Sequence, residues 1–173
     1  MRFRAISSGL LAAVLLLPAI AGAQPADAAL TEQAASAVRR YAYFSIFDDV
    51  NISVTDRAIT LTGVVTMPFK RDDLTKQLSK LDGVRSVVNE LRVLPVSNYD
   101  VELRMRIAQA IYGHPAFWQY AQMASPPIHI VVENGQVTLT GRVNGETERA
   151  LACAIAHVPG AFKVTDNLKT DRE

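Results

Sequence analysis

Val137-Thr138-Leu139-Thr140-Gly141-Arg142-Val143 repeats, 78 positions on, the pattern of Ile59-Thr60-Leu61-Thr62-Gly63-Val64-Val65. In both stretches threonine alternates with an apolar residue, which is the period of a strand with one buried face carrying Leu61 or Leu139. Just upstream, Val50, Ile52 and Val54 are answered by Ile128, Ile130 and Val132. Asp56-Arg57 and Asn134-Gly135 separate the two strands of each pair, and Asn-Gly is the strongest short hairpin signal. Each copy therefore contains a β-hairpin.

Working outward, Leu74, Leu78 and Leu81 show helical spacing and match Leu151, Ile155 and Val158 at a shift of 77. Gly83 and Gly160 are read as the stops of those helices. Final strands are expected at Ser86 to Val93 and Lys163 to Lys169. Upstream of the hairpins, Ala34, Val38, Ala42 and Tyr43 match Leu103, Ile107, Ile111 and Tyr112 at a shift of 69, which gives the second copy nine extra residues. Thr31 or a neighbour is the expected cap of the first leading helix, and Asn98 or Asp100 that of the second.

A lone hairpin is marginal in water, so a third strand and two covering helices are needed to close a core. The expected fold is α+β: two tandem αββαβ domains, 30–96 and 97–170, each a small three-stranded mixed sheet with two helices on one face. Leu94 to Ser97 is too short a linker for free tumbling, so the copies are expected to pack on each other.

The first 23 residues combine Arg2 and Arg4, an apolar run from Leu10 to Ile20, and Ala21-Gly22-Ala23. That is the pattern of a secretory signal peptide, 1–23, with cleavage after Ala23 or, later, at Ala26-Asp27-Ala28. The run is shorter than a spanning helix needs. Neither site has a cysteine to lipidate. Removing the leader takes the formal charge from +1 to −1, which predicts no general attraction to nucleic acid. Cys153 is the sole cysteine, so no internal disulfide can form; its apolar helical setting suggests a buried structural thiol.

The run Pro127-Ile128-His129-Ile130-Val131-Val132-Glu133-Asn134-Gly135-Gln136-Val137-Thr138-Leu139-Thr140-Gly141-Arg142-Val143, followed by an Ala-rich helix and Val158-Pro159-Gly160, resembles the BON domain family, named after bacterial OsmY and nodulation proteins. The first copy departs from it at the turn, where Asp56-Arg57 stands for Asn-Gly. The resemblance implies a periplasmic or outer-membrane-associated setting and a non-enzymatic role in envelope integrity or osmotic stress, with phospholipid contact. The family glycines fall on Gly63, Gly83, Gly135, Gly141 and Gly160, and are read as structural.

Catalytic patterns are missing: no Gly-x-Ser-x-Gly, no His-Glu-x-x-His, no paired cysteines and no phosphate loop. His114, His129 and His157 are scattered along the second copy, so neither a metal nor another cofactor is expected, and no small-molecule substrate. Adjacent carboxylates point apart. Asp48-Asp49 is read as a solvated loop, and Asp72-Asp73 as acids favoured by a helix start.

The segment from Tyr112 to Met123 holds the only tryptophan and coincides with the insertion. Tyr112, Phe117, Trp118, Tyr120 and Met123, with Arg104 and Arg106 nearby, are the candidate contacts for an anionic phospholipid membrane surface or for an envelope protein. Alternatively Phe117, Tyr120 and Met123 fold back as a lid on the core. Both readings hold if Trp118 faces out while Phe117 packs in.

Overall fold

The computed structural model describes residues 25–171, so the expected leader at 1–23 lies outside the described residues. The first copy runs α1 (Pro25–Arg39), β1 (Asp49–Thr55), β2 (Ala58–Val65), α2 (Pro68–Leu78), β3 (Ser86–Asn89) and β4 (Arg92–Val93). The second runs α3 (Asn98–Tyr112), a 3-10 turn (Pro115–Phe117), a short α4 (Trp118–Ala121), β5 (Ile128–Glu133), β6 (Gln136–Val143), α5 (Glu146–Ile155) and β7 (Lys163–Thr170). In each copy the hairpin strands pair antiparallel and the third strand joins the second in parallel. A parallel join needs a crossover, which α2 and α5 supply. The result is the expected α+β pair of αββαβ units. The expected third strand of the first copy is interrupted at Glu90-Leu91, although the Glu90 amide still donates to the Leu61 carbonyl of β2 at 2.8 Å.

Both sheets bury the expected apolar face. Leu30, Ala34 and Val38 of α1 close over Ile59, Leu61 and Leu74, while Leu103, Ile107 and Ile111 of α3 close over Ile130 and Leu139. These contacts correct the sequence alignment of the leading helices. The equivalent residues are Leu30 and Leu103, Ala34 and Ile107, Val38 and Ile111, a shift of 73 and not 69. The second copy's insertion is therefore five residues long, not nine.

A polar landmark fixes that register. The buried Asp27 carboxylate accepts the amides of Asp56 and Arg57, each at 2.9 Å. Asp100, also buried, accepts those of Asn134 and Gly135 at 2.9 and 2.8 Å. Each leading helix thus clamps its own hairpin turn through one carboxylate. Both turns have two consecutive positive φ values, Asp56 and Arg57 at 48° and 60°, Asn134 and Gly135 at 52° and 72°. That is the turn that matches strand twist. The first copy reaches the same geometry without glycine, at the cost of a left-handed Arg57.

The helix limits also differ from expectation. Thr31 does not cap α1, which begins at Pro25; its hydroxyl donates to the Asp27 carbonyl inside the helix. Ser97, not Asn98 or Asp100, caps α3 by accepting from the Asp100 amide. The second helices end at Ser79 and Ala156, so Gly83 and Gly160 shape the following turns, at φ 83° and 98°. Gly63 and Gly141 do what a strand glycine is expected to do. A Cβ there would lie 2.2 Å from the Asp49 carbonyl oxygen or 1.8 Å from that of Pro127, so only glycine lets the first strand start so close.

Asp48 corrects the reading of a solvated acid pair. It is 0% exposed. Its carboxylate accepts the Lys70 ammonium at 2.6 Å, the Thr66 amide and hydroxyl at 2.8 and 2.9 Å, and the Ser45 amide and hydroxyl at 2.9 and 2.8 Å. Burial alone would raise its pKa, but the bonds from Lys70, Thr66 and Ser45 prevail and hold the carboxyl below its ordinary value. The acids at 72 and 73 are likewise not in the first turn of α2, which begins at Pro68; Asp73 instead accepts the Tyr41 hydroxyl at 2.7 Å.

Three substitutions test these clamps. Arg57→Gly removes a left-handed side chain while keeping both bonds to Asp27, so it should raise stability by about 1 kcal/mol; an unchanged or lower thermal midpoint would refute the reading. Lys70→Met strands a buried carboxylate and should cost about 3–5 kcal/mol in urea unfolding at pH 7. Because the folded pKa of Asp48 is depressed, its stabilisation is complete above the unfolded value near pH ~4 and is lost as pH falls through the lower folded value. Asp48→Asn should accordingly be weaker at pH 7 yet lose less stability than the natural chain as pH falls below about 4.

Candidate functional site

The inserted segment folds back on its own domain. Phe117 is 0% exposed and Tyr120 3%, their rings stacked at 6.1 Å over the second core. The Tyr120 hydroxyl donates to the Glu148 carboxylate and accepts the Asn144 amide. Burial and that acid raise its phenol to about 12, so it stays a neutral donor. Asn144 follows β6 as Thr66 follows β2, and Tyr120 thus meets the amide that Asp48 meets in the first copy. His114 caps the 3-10 turn by accepting the Ala116 amide.

Of the seven candidate contacts, the structure places three inside. Phe117 and Tyr120 form the lid, and Arg104 is buried with its guanidinium donating to the Val132 carbonyl at 2.7 Å. Tyr112 is half-buried and its hydroxyl donates to the Ile128 carbonyl; burial raises its phenol well above the usual tyrosine value. Arg106 is exposed but committed to the Pro159 carbonyl at 2.9 Å. Trp118 and Met123 remain outside, 58% and 47% exposed. Val101 and Met105, one turn apart on α3, are exposed too, as are Tyr99 and Phe162, whose rings stack at 6.1 Å. These four were missed by the sequence reading, although the i, i+4 pair of Val101 and Met105 off the Leu103, Ile107, Ile111 stripe is a legible signal.

The other feature is the junction of the copies. In a hairpin with a two-residue turn, every second residue of the first strand directs its amide and carbonyl away from its partner. For β5 these are Ile128, Ile130 and Val132. Tyr112 takes the Ile128 carbonyl and Arg104 that of Val132, while the Ile130 amide donates to the Ile46 carbonyl of the first copy at 2.7 Å. Ile46 and Phe47 pack on the second core, and Phe44 lies 5.2 Å from the His129 ring. Thr140 donates to Asp49 at 3.0 Å, and Arg92 pairs with Glu133 at 3.2 Å. Burial lowers the pKa of His129, against the pull of the Asp48 and Ser45 backbone and of the Asp49 carboxylate. At neutral pH it therefore serves as an uncharged filler of the junction.

Cys153 is half-buried with its thiol pushed up to about 11 by burial and by Asp166, so it carries little thiolate at neutral pH. His157 Nδ1 bonds the Cys153 carbonyl, and no three metal-ligating side chains converge among the described residues. No described helix is long and apolar enough to cross a membrane.

No curated protein matches the chain. Two solved structures of CdsD, a structural protein of the type III secretion system of Chlamydia trachomatis, are similar to it. One, its C-terminal domain, shares 14% identity over 83% of this chain and 66% of that one, with a TM-score of 0.34. The other shares 13% over 81% of this chain and 91% of that one, with a TM-score of 0.31. The BON domain family model matches twice, over residues 26–95 and 100–172. Two matches that take in nearly every element of both sheets show that the chain belongs to the BON domain family, as a tandem pair.

Proposed function

We propose that this chain is a non-enzymatic, envelope-associated protein of the periplasm that contacts an anionic phospholipid surface through its second domain, in the service of envelope integrity or osmotic protection. Membership of the family supports the periplasmic setting of the module. The observation that carries the membrane contact is the mounting of Trp118. Its neighbours Phe117 and Tyr120 are locked into the core, so the exposed indole is held out on a rigid base with Met123 close behind in sequence. An amphipathic ring presented this way suits the headgroup level of a bilayer, and rigid mounting lowers the entropy lost on contact. The buried Arg104 takes no part, and Arg106 is the exposed base of the original candidates.

A second reading, docking of another envelope component or self-association, is favoured by a different observation. The first copy's hairpin is left open at its edge, as developed below. The two readings use different residues and are compatible.

Trp118 is the only tryptophan, so intrinsic fluorescence reports on it alone. Anionic vesicles at low salt should shift its emission to the blue, and brominated acyl chains should quench it. Trp118→Ala should weaken co-sedimentation about tenfold, the loss of roughly 1.4 kcal/mol of interfacial burial. An emission spectrum unmoved by vesicles at low salt would sink the membrane reading.

A further inference from the structure

The two domains treat the same strand edge in opposite ways. On β5 all three outward positions bear a described partner, Tyr112, Ile46 and Arg104. The counterparts on β1 are Val50, Ile52 and Val54, and the 55/58 turn pair directs their amides and carbonyls outward by the same geometry. Among the described residues none of these groups has a hydrogen-bond partner off the strand pair. The caps are lost by substitution: Thr31 stands where Arg104 does, and Arg39 where Tyr112 does. No element precedes the first copy in the described chain to play the part of Ile46. Exposure agrees, since Ile128, Ile130 and Val132 are fully buried whereas Val50, Ile52 and Val54 are half-exposed.

That open edge faces a groove of about 560 Å³ between α1 and β1 on one side and the second domain on the other. Its apolar lining includes Val38, Phe44 and Pro127, and its cations are Arg39, Arg142 and Lys169. Asp49 is the one acid in the lining, and it is occupied by Thr140 and Asn51. Arg39 meets Glu32 and Arg142 meets Asp171, both pairs on the surface where they hold little free energy.

We infer that β1 accepts an extended segment of a partner protein as an added strand, and that the segment alternates apolar with acidic side chains. Backbone bonding would come from Val50, Ile52 and Val54, apolar side chains would cover the half-exposed strand, and acidic ones would meet Arg39, Arg142 and Lys169. Ile46 on β5 is the internal precedent, a covering segment that gives one carbonyl to the edge and an apolar side chain to the core. The inference rests on the protein-docking reading and is independent of the membrane contact.

The probe is a nine-residue synthetic peptide alternating valine and glutamate, with a lysine-for-glutamate version as control. In the free protein, the amides of Val50, Ile52 and Val54 should exchange with solvent far faster than that of Ile130. The acidic peptide should slow the three at least tenfold and bind at least tenfold better than the lysine peptide. Ile52→Pro removes one outward donor and should abolish binding. If that variant fails to fold, the exposed pair Arg142→Glu with Lys169→Glu should weaken binding tenfold or more. Equal affinity for both peptides, or binding that leaves the three amides unprotected, overturns the inference. So does protection already present in a dimer of the free chain, which would make a second copy the occupant, or protection conferred by anionic vesicles, which would make it lipid. Failure of the Trp118 response alone leaves it intact, and success there does not support it.

Discussion

A charged carboxylate with no exposure persists only where enough donors surround it, and Asp48 has five. Those donors come from three places: the connection after α1 at Ser45, the end of β2 at Thr66, and α2 at Lys70. The node therefore fixes the path of residues 41–48 against their own domain. With that path fixed, Ile46 presents its carbonyl to Ile130, Phe47 enters the second core and Phe44 reaches His129. The packing of one copy on the other depends on a polar interaction that neither hydrophobic core contains.

The second copy meets the same local demand with Tyr120. A phenol brings its own donor and a large apolar ring, so no buried lysine is needed. The ring adds to the core, which is why Phe117 and Tyr120 lie inside and the five-residue insertion behaves as a lid. The consequence for function is one of allocation. The first copy's connection is used up in covering its neighbour, whereas the second copy's connection covers itself and leaves Trp118 free.

Much of this was legible in the residues. Alternation at Ile128, Ile130 and Val132, the Asn134-Gly135 turn and the Thr-Leu-Thr-Gly core specified the hairpins, and the leucine spacing specified the crossovers. The slip of four residues in the leading helix has a simple origin. Four residues make about one helical turn, so an apolar stripe matches itself nearly as well one turn out of register. Ala34 aligned with Leu103 satisfied periodicity; the carboxylates of Asp27 and Asp100 reject it, because each must reach its own turn. Buried polar groups were the least legible. Asp48 and Arg104 look like solvated charges in a sequence, since only the fold brings Lys70 to one and the Val132 carbonyl to the other.

An uncovered strand edge is a liability, since it templates pairing with whatever extended chain it meets. β1 shows the usual moderation of that hazard: Asn51, Ser53 and Thr55 make its outer face polar, and the basic groove beside it repels cationic segments. Those features narrow the choice of occupant without closing the edge. The first copy's connection covers the edge of the second, and among the described residues nothing does the same for the first. The edge left open is that of β1, whose equivalent in the second domain needs a tyrosine, an arginine and a neighbouring carbonyl to be satisfied. The asymmetry between two closely similar sheets thus arises from the caps each sequence supplies. It separates a second domain that is sealed at its edge and exposes an indole from a first domain that is open at its edge and lined with cations.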